Sequence, residues 1–201
     1  MTTSTSMKRM PLLVDPALPQ GTLRDVAQPR LATDALTLRS WRRSDAAAVR
    51  TAFACPDIQR WHVRRLDSLD EAGEWVAQWA DRWDSESAAS RAAVDGDDQP
   101  LGQVGLRNIS LAEGSASLSY WVIPAARGQS IAARSVDALS GWAFGLIGFN
   151  RLNVHHSTAN TASCRVAERT GYRLEGTLRQ AIKHADGWHD WHVHGRLRTD
   201  A

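Results

Sequence analysis

Hydrophobic and polar residues follow two different periods along the chain, and the change between them predicts the order of the elements. Residues 36–39 alternate, which is typical of a strand with one buried face. Ser44 and Asp45 then stand where a helix N-cap is expected, and the helical pattern runs to about Phe53. A second helix is predicted over residues 70–83, DEAGEWVAQWADRW, whose tryptophans are spaced four apart and indicate a core or interface stripe.

The middle of the chain changes from strands to alternating helices and strands. The runs SRAAV, PLGQVGLRNI and GSASLSYWVI are broken by Gly and Asp and predict an antiparallel meander. A helix over about 131–145, a strand in RLNVHHST, a helix over about 160–170 and two closing strands around Asp186-Gly187 follow. The strand–helix–strand step requires one parallel pair, so we expect an α/β (α+β) fold with a mixed, mostly antiparallel sheet flanked by helices.

The N-terminal part of the chain has a different composition from the rest. Residues 1–34 are rich in Ser, Thr, Pro and Gln and show little periodicity, so we expect an extension, mobile or draped over the body. The remainder, residues 35–198, suits one domain, since the chain of 201 residues is 43% hydrophobic and can bury a core.

Charge, cysteine content and hydropathy exclude several classes of protein. The 24 basic and 22 acidic side chains nearly balance, which does not indicate binding to a membrane surface or to nucleic acid in general. Cys55 and Cys164 are too few for a disulfide scaffold, and the N-terminus has no apolar run typical of a signal peptide. We therefore expect a soluble cytoplasmic protein, a monomer or homodimer with no membrane partner.

The stretch SYWVIPAARGQSIAARSV joins a β-type run to a helical pattern through a small polar turn. A turn that opens a helix leaves several backbone N–H groups without intrahelical partners, and these groups together with the helix dipole can bind an anion. Gly128, Ser130 and Ala132 are small enough to admit a phosphate, and Arg127 offers a charge. The alternative is an ordinary turn capped by Ser130.

A second stretch, NTASCRVAERTGY, follows one strand later. Asn160 has the character of an N-cap, and Gly171 is placed to end the helix. Together with the first turn, this spacing resembles the GNAT superfamily of acyl-CoA-dependent N-acetyltransferases, within it the RimJ/RimL-like branch. The resemblance runs from about Leu36 to Leu197 and includes LTLRSWRRSD and LEGTLRQAIKHADGWHD.

The resemblance implies a sheet splayed open between its fourth and fifth strands, with acetyl-CoA in the gap as co-substrate. The pantetheine would follow the fourth strand, the pyrophosphate would lie on the turn, and the thioester would face the second motif. The implied cofactor contacts are Trp121, Val122, Ile123, Arg127, Gly128, Gln129, Ser130, Ile131, Ala132, Asn160 and Ser163.

Ser130 departs from the family pattern Arg-Gly-x-Gly-x-Ala, in which the second glycine stands at this position. A serine keeps its backbone N–H, but its side chain takes room beside the phosphates. Either the hydroxyl is tolerated and adds a hydrogen bond, or it weakens acetyl-CoA binding or changes the acyl donor.

Acyl transfer to an amine needs a neutral amine, a polarised thioester and a proton for the leaving thiolate. The resemblance assigns the general acid to Ser163, whose alternative role is that of a helix N-terminal hydroxyl. Ile182 occupies the position where some relatives carry a catalytic carboxylate. Glu175 and His184 remain as candidate bases, and a base acting through water is also open.

The C-terminal stretch KHADGWHDWHVH gathers four histidines. His192 and His194 alternate on one predicted strand without a cysteine or carboxylate shell, so we expect no metal. His155 and His156 must point to opposite faces of their strand.

In this fold the acceptor amine enters beside the first two helices and the last hairpin, which places Trp61, His62, Arg64 and Trp188 near the mouth. We expect an N-acetyltransferase that acts on the primary amine of a peptide N-terminus or small metabolite. One alternative donor is a longer acyl-CoA or an aminoacyl-tRNA, with tRNA as partner, in small-molecule biosynthesis or resistance. The second alternative is a non-catalytic module that binds CoA or a metabolite.

Overall fold

The computed structural model describes residues 13–34 and 36–200. The strands are β1 (Leu31–Ala32), β2 (Thr37–Arg39), β3 (Ala89–Val94), β4 (Pro100–Ser110), β5 (Ser115–Val122), β6 (Arg151–Ser157), β7 (Arg173–His184) and β8 (Gly187–Leu197). The helices are α1 (Ala46–Ala54), α2 (Pro56–Gln59), α3 (Leu69–Asp84), α4 (Ile131–Trp142) and α5 (Thr161–Arg169). A π-helical turn, Ala143–Ile147, follows α4.

The strands form one sheet in the order β1-β2-β3-β4-β5-β6-β8-β7. Its β5–β6 pair is parallel and the other pairs are antiparallel, so the predicted mixed sheet is confirmed. Two short elements were not predicted, β1 and α2, because two and four residues are too few to show a period. The helix expected over 131–145 keeps its α form only to Trp142, where the wider π turn begins.

The described part of the N-terminal extension lies against the domain. Leu18 and Leu23 are buried in the core, and β1 pairs with β2. The carboxylate of the buried Glu86 accepts hydrogen bonds from the backbone N–H groups of Gly21 and Leu23, each at 2.7 Å. Residues 13–34 therefore drape over the body, whereas residues 1–12 lie outside the described part and the domain boundary stays a prediction.

The sheet separates two hydrophobic cores. On the α4 face, alternate residues of β4, β5 and β6 such as Leu106, Leu118 and Leu152 pack with α4, and Ala167 brings α5 to the same side. On the opposite α1/α3 face, Phe53 and Trp79 join a second cluster. The tryptophan stripe of α3 lies mostly in these cores, as predicted: Trp79 and Trp83 are buried, and Trp75 packs edge-on against Trp41 and Phe53.

No helix of the described residues is long and apolar enough to cross a membrane.

Candidate active site

Strands β5 and β6 part from each other halfway along their length. They pair from Ser115 with Arg151 to Leu118 with Val154, and no pairing continues beyond that point. β5 nevertheless runs on to Val122 and β6 to Ser157, so the strands diverge into a gap. Counted without β1, these are the fourth and fifth strands, and the predicted splay is confirmed. The last residues of β5 keep their partners on β4 and leave the edge toward the gap open.

The turn before α4 presents unpaired backbone donors at the mouth of this gap. The first backbone bond into the helix runs from Arg134 N–H to the Ser130 carbonyl, at 3.0 Å. Within the described chain, the N–H groups of Gly128, Gln129 and Ser130 have no hydrogen-bond acceptor. Gly128 and Ser130 both have positive φ, at 79° and 60°. Free N–H groups at the positive end of a helix form a site suited to a phosphate.

The Ser130 side chain does not cap α4. Its hydroxyl accepts a hydrogen bond from Arg169 of α5 at 3.1 Å, and this contact joins the two motifs that the sequence singled out. The φ of 60° explains why glycine would be easier at this position, since an L-residue is strained there. Arg127 pairs with Asp57 of α2 at 2.6 Å, so its charge is already partly engaged.

The start of α5 lies across the gap from β5. The Asn160 side chain accepts a hydrogen bond from the Ser163 N–H at 3.1 Å, which confirms Asn160 as the N-cap. Tyr120 of β5 donates its hydroxyl to the Ser163 carbonyl at 3.2 Å, and burial raises the pKa of this phenol to about 12. The backbone of Ser163 is therefore held against Tyr120 of β5, on the strand whose edge toward the gap is open.

A chain of three polar side chains follows at the end of β6. Ser157 Oγ lies 2.7 Å from Nδ1 of His189, and His189 Nε2 lies 2.8 Å from the Asp186 carboxylate. A carboxylate accepts, so His189 carries its proton on Nε2, and the Ser157 hydroxyl donates to Nδ1. The hydrogen bond from His189 lowers the pKa of Asp186. The sequence alone did not lead to this chain of hydrogen bonds, although the spacing Asp186-x-x-His189 in a tight hairpin indicates its second half.

The position of His189 in the sheet relates it to the missing carboxylate. It lies directly opposite Ile182 on the neighbouring strand, and opposed residues of an antiparallel pair share one face. The imidazole is therefore beside the position that carries a carboxylate in some relatives. His184 packs behind it, with ring centroids 5.0 Å apart, and burial lowers the pKa of His184.

Glu175 lies elsewhere. It forms an ion pair with Arg151 at the opposite end of β6, and this partner lowers the pKa of the carboxyl. Ser157 is six positions along β6 from Arg151, about 20 Å of strand.

Three histidines and a cysteine meet on the α4 face, next to the same end of β6. One potential ligand atom from each of His156, Cys164, His192 and His194 lies within 4.8 Å of the others. We call these residues the His3Cys cluster. The expectation that no cysteine accompanies His192 and His194 is wrong, because α5 folds back over β6 and β8 and brings Cys164 onto them.

A pocket of about 260 Å³ opens on the α1/α3 face and reaches Ser119, Tyr120 and Trp121 of β5. Of the four residues predicted at the acceptor mouth, His62 and Arg64 line this pocket. Trp61 instead packs edge-on against His184 and His189, and Trp188 is exposed on the hairpin.

The pocket contains arginines that the sequence did not single out. Arg82 and Arg107 line it beside Arg64, and none of its described lining residues is acidic. Arg107 lies over the Trp79 ring at 4.1 Å, and burial lowers its pKa to about 10. One of its terminal nitrogens is buried without a hydrogen-bond partner among the described residues. The pocket therefore offers an unpaired, partly desolvated positive charge.

Comparison with known proteins identifies the fold and the family. The model of the acetyltransferase (GNAT) domain matches residues 35–173. An uncharacterized N-acetyltransferase of Bacillus subtilis (strain 168), YoaA, is 25% identical over 155 residues, which cover 76% of this chain and 87% of that protein.

Two solved structures illustrate the likeness. RimL, a ribosomal L7/L12 α-N-protein acetyltransferase in complex with coenzyme A bound to one of its cysteines as a disulfide, superposes with a TM-score of 0.79. It is 21% identical, covering 84% of this chain and 98% of that one. A probable GNAT-family acetyltransferase from Chromobacterium violaceum is 25% identical over 98% of both chains, with a TM-score of 0.75.

Proposed function

Because the chain belongs to the acetyltransferase (GNAT) family, we propose that it transfers an acetyl group from acetyl-CoA to a primary amine of a peptide N-terminus or small metabolite. The divergence of β5 and β6 beside the unpaired N–H groups of the α4 turn is the observation that carries this proposal. The open edge of Trp121–Ile123 would pair with the pantetheine amides, and the turn would hold the pyrophosphate.

The amine nitrogen attacks the thioester carbonyl carbon directly, and the bond from that carbon to the CoA sulfur breaks. Ser163 gives its hydroxyl proton to the departing thiolate and recovers one from solvent. The proton lost by the attacking amine passes to Ser157, whose own proton moves to Nδ1 of His189. Asp186 stabilises the imidazolium that forms, because it already accepts the Nε2 proton.

Two observations support His189 over the bases expected from the sequence. Its Nδ1 is free to take a proton in the neutral state, and its place opposite Ile182 supplies a base where the carboxylate is missing. Glu175 is engaged by Arg151 far along β6, and His184 has its ring packed against Trp61 and His189.

We infer further that the acceptor carries an anionic group close to its amine. The pocket contains the unpaired Arg107 together with Arg82 and Arg64, and an incoming carboxylate or phosphate would satisfy the orphaned guanidinium nitrogen. A matched panel tests this point: each amino acid or short acidic peptide is compared with its amide. A preference of at least about tenfold in kcat/KM for the anionic member is expected, and no preference would contradict the inference.

Calorimetry with acetyl-CoA tests the donor, and release of the free thiol during turnover tests the transfer. Binding in the micromolar range with thiol release that depends on an added amine is the expected result. Absence of binding at millimolar acetyl-CoA would remove this proposal and favour an aminoacyl-tRNA donor. Binding without amine-dependent release from any acceptor class would favour a CoA-sensing module.

A further inference from the structure

The His3Cys cluster is built from elements that are distant in sequence. His156 ends β6, His192 and His194 alternate on β8, and Cys164 lies one turn into α5. In the register of the sheet, His156 is opposite His192 and Val154 is opposite His194, so all three imidazoles project from the α4 face. His194 is fully buried and His156 nearly so, at 0% and 5% exposure.

The hydrogen bonds of two of these histidines fix where their protons are. His156 Nδ1 lies 2.8 Å from the Ser157 carbonyl, and His194 Nδ1 lies 3.2 Å from the Tyr172 carbonyl. Carbonyl oxygens only accept, so both Nδ1 atoms carry hydrogen and both Nε2 atoms carry lone pairs. Backbone carbonyls that orient the far nitrogen in this way are typical partners of metal-binding histidines.

The two lone pairs face each other. His156 Nε2 and His194 Nε2 are 3.2 Å apart, and neither has a hydrogen to share in the neutral tautomers. His192 adds a buried Nδ1 without a partner among the described residues. Such an arrangement is repulsive unless a cation lies between the nitrogens.

The spacing fits a tetrahedral metal ion. Ligand nitrogens about 2.0–2.1 Å from zinc stand about 3.3 Å apart at the edges of a tetrahedron, close to the separation of the two Nε2 atoms. The other pairs of ligand atoms lie within 4.8 Å of one another and would have to move closer on binding. Three imidazoles and a thiolate are a donor set that suits zinc.

We propose that His156, Cys164, His192 and His194 bind one zinc ion that fastens the start of α5 to β6 and β8. On binding, the Cys164 thiol gives its proton to solvent and its sulfur bonds to the metal. The Glu168 carboxylate, 3.5 Å from that sulfur, offsets the remaining positive charge. With four protein ligands the site is closed, so the zinc is structural and holds in place the helix that carries Asn160 and Ser163.

The test uses tag-free protein, stripped of metal with a chelator and then titrated with Zn²⁺ or Co²⁺. We expect one ion per chain, a raised unfolding temperature, and in the cobalt form a thiolate-to-cobalt charge-transfer band with the visible bands of a tetrahedral site. Cys164→Ser should abolish the charge-transfer band, because it removes the thiolate. Both Cys164→Ser and His156→Gln should weaken metal binding at least about 100-fold.

Two neighbouring positions provide matched controls. Cys55→Ser changes the other free cysteine, and His155→Gln changes a histidine on the opposite face of the same strand. Both should bind the metal as the parent does. If a ligand variant fails to fold, zinc should still protect Cys164 but not Cys55 of the parent against a thiol reagent. No stoichiometric metal in the parent, no charge-transfer band, or equal losses in the control variants would overturn the proposal and leave a shared proton between His156 and His194.

Discussion

The adjacent residues His156 and Ser157 at the end of β6 belong to two regions in which the histidines are hydrogen-bonded in opposite ways. On the α1/α3 face, donors and acceptors alternate from Ser157 through His189 to Asp186. On the α4 face, His156 and His194 direct two lone pairs at each other, 3.2 Å apart. One sequence step therefore separates a complete hydrogen-bond chain from an incomplete one.

The difference shows that proton positions, rather than residue types, decide what a histidine can do. The chain on the α1/α3 face ends in a carboxylate, so a proton that arrives at His189 is stabilised there. The cluster on the α4 face is more deeply buried and has its Nδ1 protons fixed by carbonyls, so its Nε2 lone pairs suit a cation rather than a relayed proton. Experiments that separate proton transfer from metal binding therefore test the comparison directly.

The largest effect is expected at His189. His189→Gln removes the proton acceptor and should lower kcat/KM about 10²–10⁴-fold, with metal content unchanged. The loss should shrink as pH rises, because hydroxide from solvent can then accept the proton that His189 takes in the parent. Steady-state thiol release from pH 6 to pH 9 checks both statements, with Asp186→Asn as a milder variant. A His189→Gln enzyme that works at the parental rate would remove the proton-relay side of the comparison.

His62 belongs to neither of the two histidine regions. Burial, aided by Arg107 and His184, lowers the pKa of His62 to about 4, so the unfolded chain binds this proton more readily than the folded one. The stability from the neutral ring is therefore complete above about pH 6.5 and is lost as pH falls toward 4. The loss amounts to about 2–3 kcal/mol. Urea unfolding across this range should show a shallower pH dependence for His62→Gln, and identical slopes would contradict the assignment.

Adjacent residues of α5 sharpen the comparison further, because the backbone of Ser163 contacts Tyr120 of β5 whereas Cys164 joins the His3Cys cluster. Ser163→Ala should lower kcat about tenfold to a hundredfold, more than it raises the KM for acetyl-CoA, since a CoA thiolate needs little help at neutral pH. Metal content should not change. Cys164→Ala should show the reverse, losing metal and thermal stability first.

A control for Ser163→Ala is Asn160→Ala, which loses the N-cap and should cost about 1 kcal/mol of stability. If Ser163→Ala turns over at the parental rate, its hydroxyl is only structural and the thiolate leaves without a dedicated acid.

The helices, the strands and the α4 turn could be predicted from the sequence because local signals specify them, whereas the splay between β5 and β6 was expected only from the family resemblance. Alternation gave the strands, Asn160 and Gly171 bounded α5, and the small residues from Gly128 to Ala132 marked the α4 turn. Each of these signals lies within a dozen residues of the chain.

The polar groups around the cleft could not be predicted in the same way, because long-range register brings them together. Ser157 and His189 meet only because β8 inserts between β6 and β7. Cys164 lies beside His194 only because α5 folds back onto the α4 face. The guanidinium of Arg107 is buried over the Trp79 ring only because the fold brings β4 next to α3. Spacing along one chain contains no signal for such contacts.

The smallest effect is expected at Ser130, which belongs to neither histidine region. Ser130→Gly relieves an L-residue held at a φ of 60° but loses the hydrogen bond from Arg169. Because that bond is exposed, the strain should dominate and the variant should gain about 0.5–1 kcal/mol in stability. Arg169→Gln removes the hydrogen bond alone and separates the two contributions. Calorimetry should find the acetyl-CoA affinity of Ser130→Gly within about threefold of the parent, since the backbone N–H that faces the phosphates is retained. A gain of about tenfold, or 1.4 kcal/mol, would mean instead that the hydroxyl crowds the pyrophosphate. A clear loss would mean that the hydroxyl, positioned by Arg169, binds the cofactor itself.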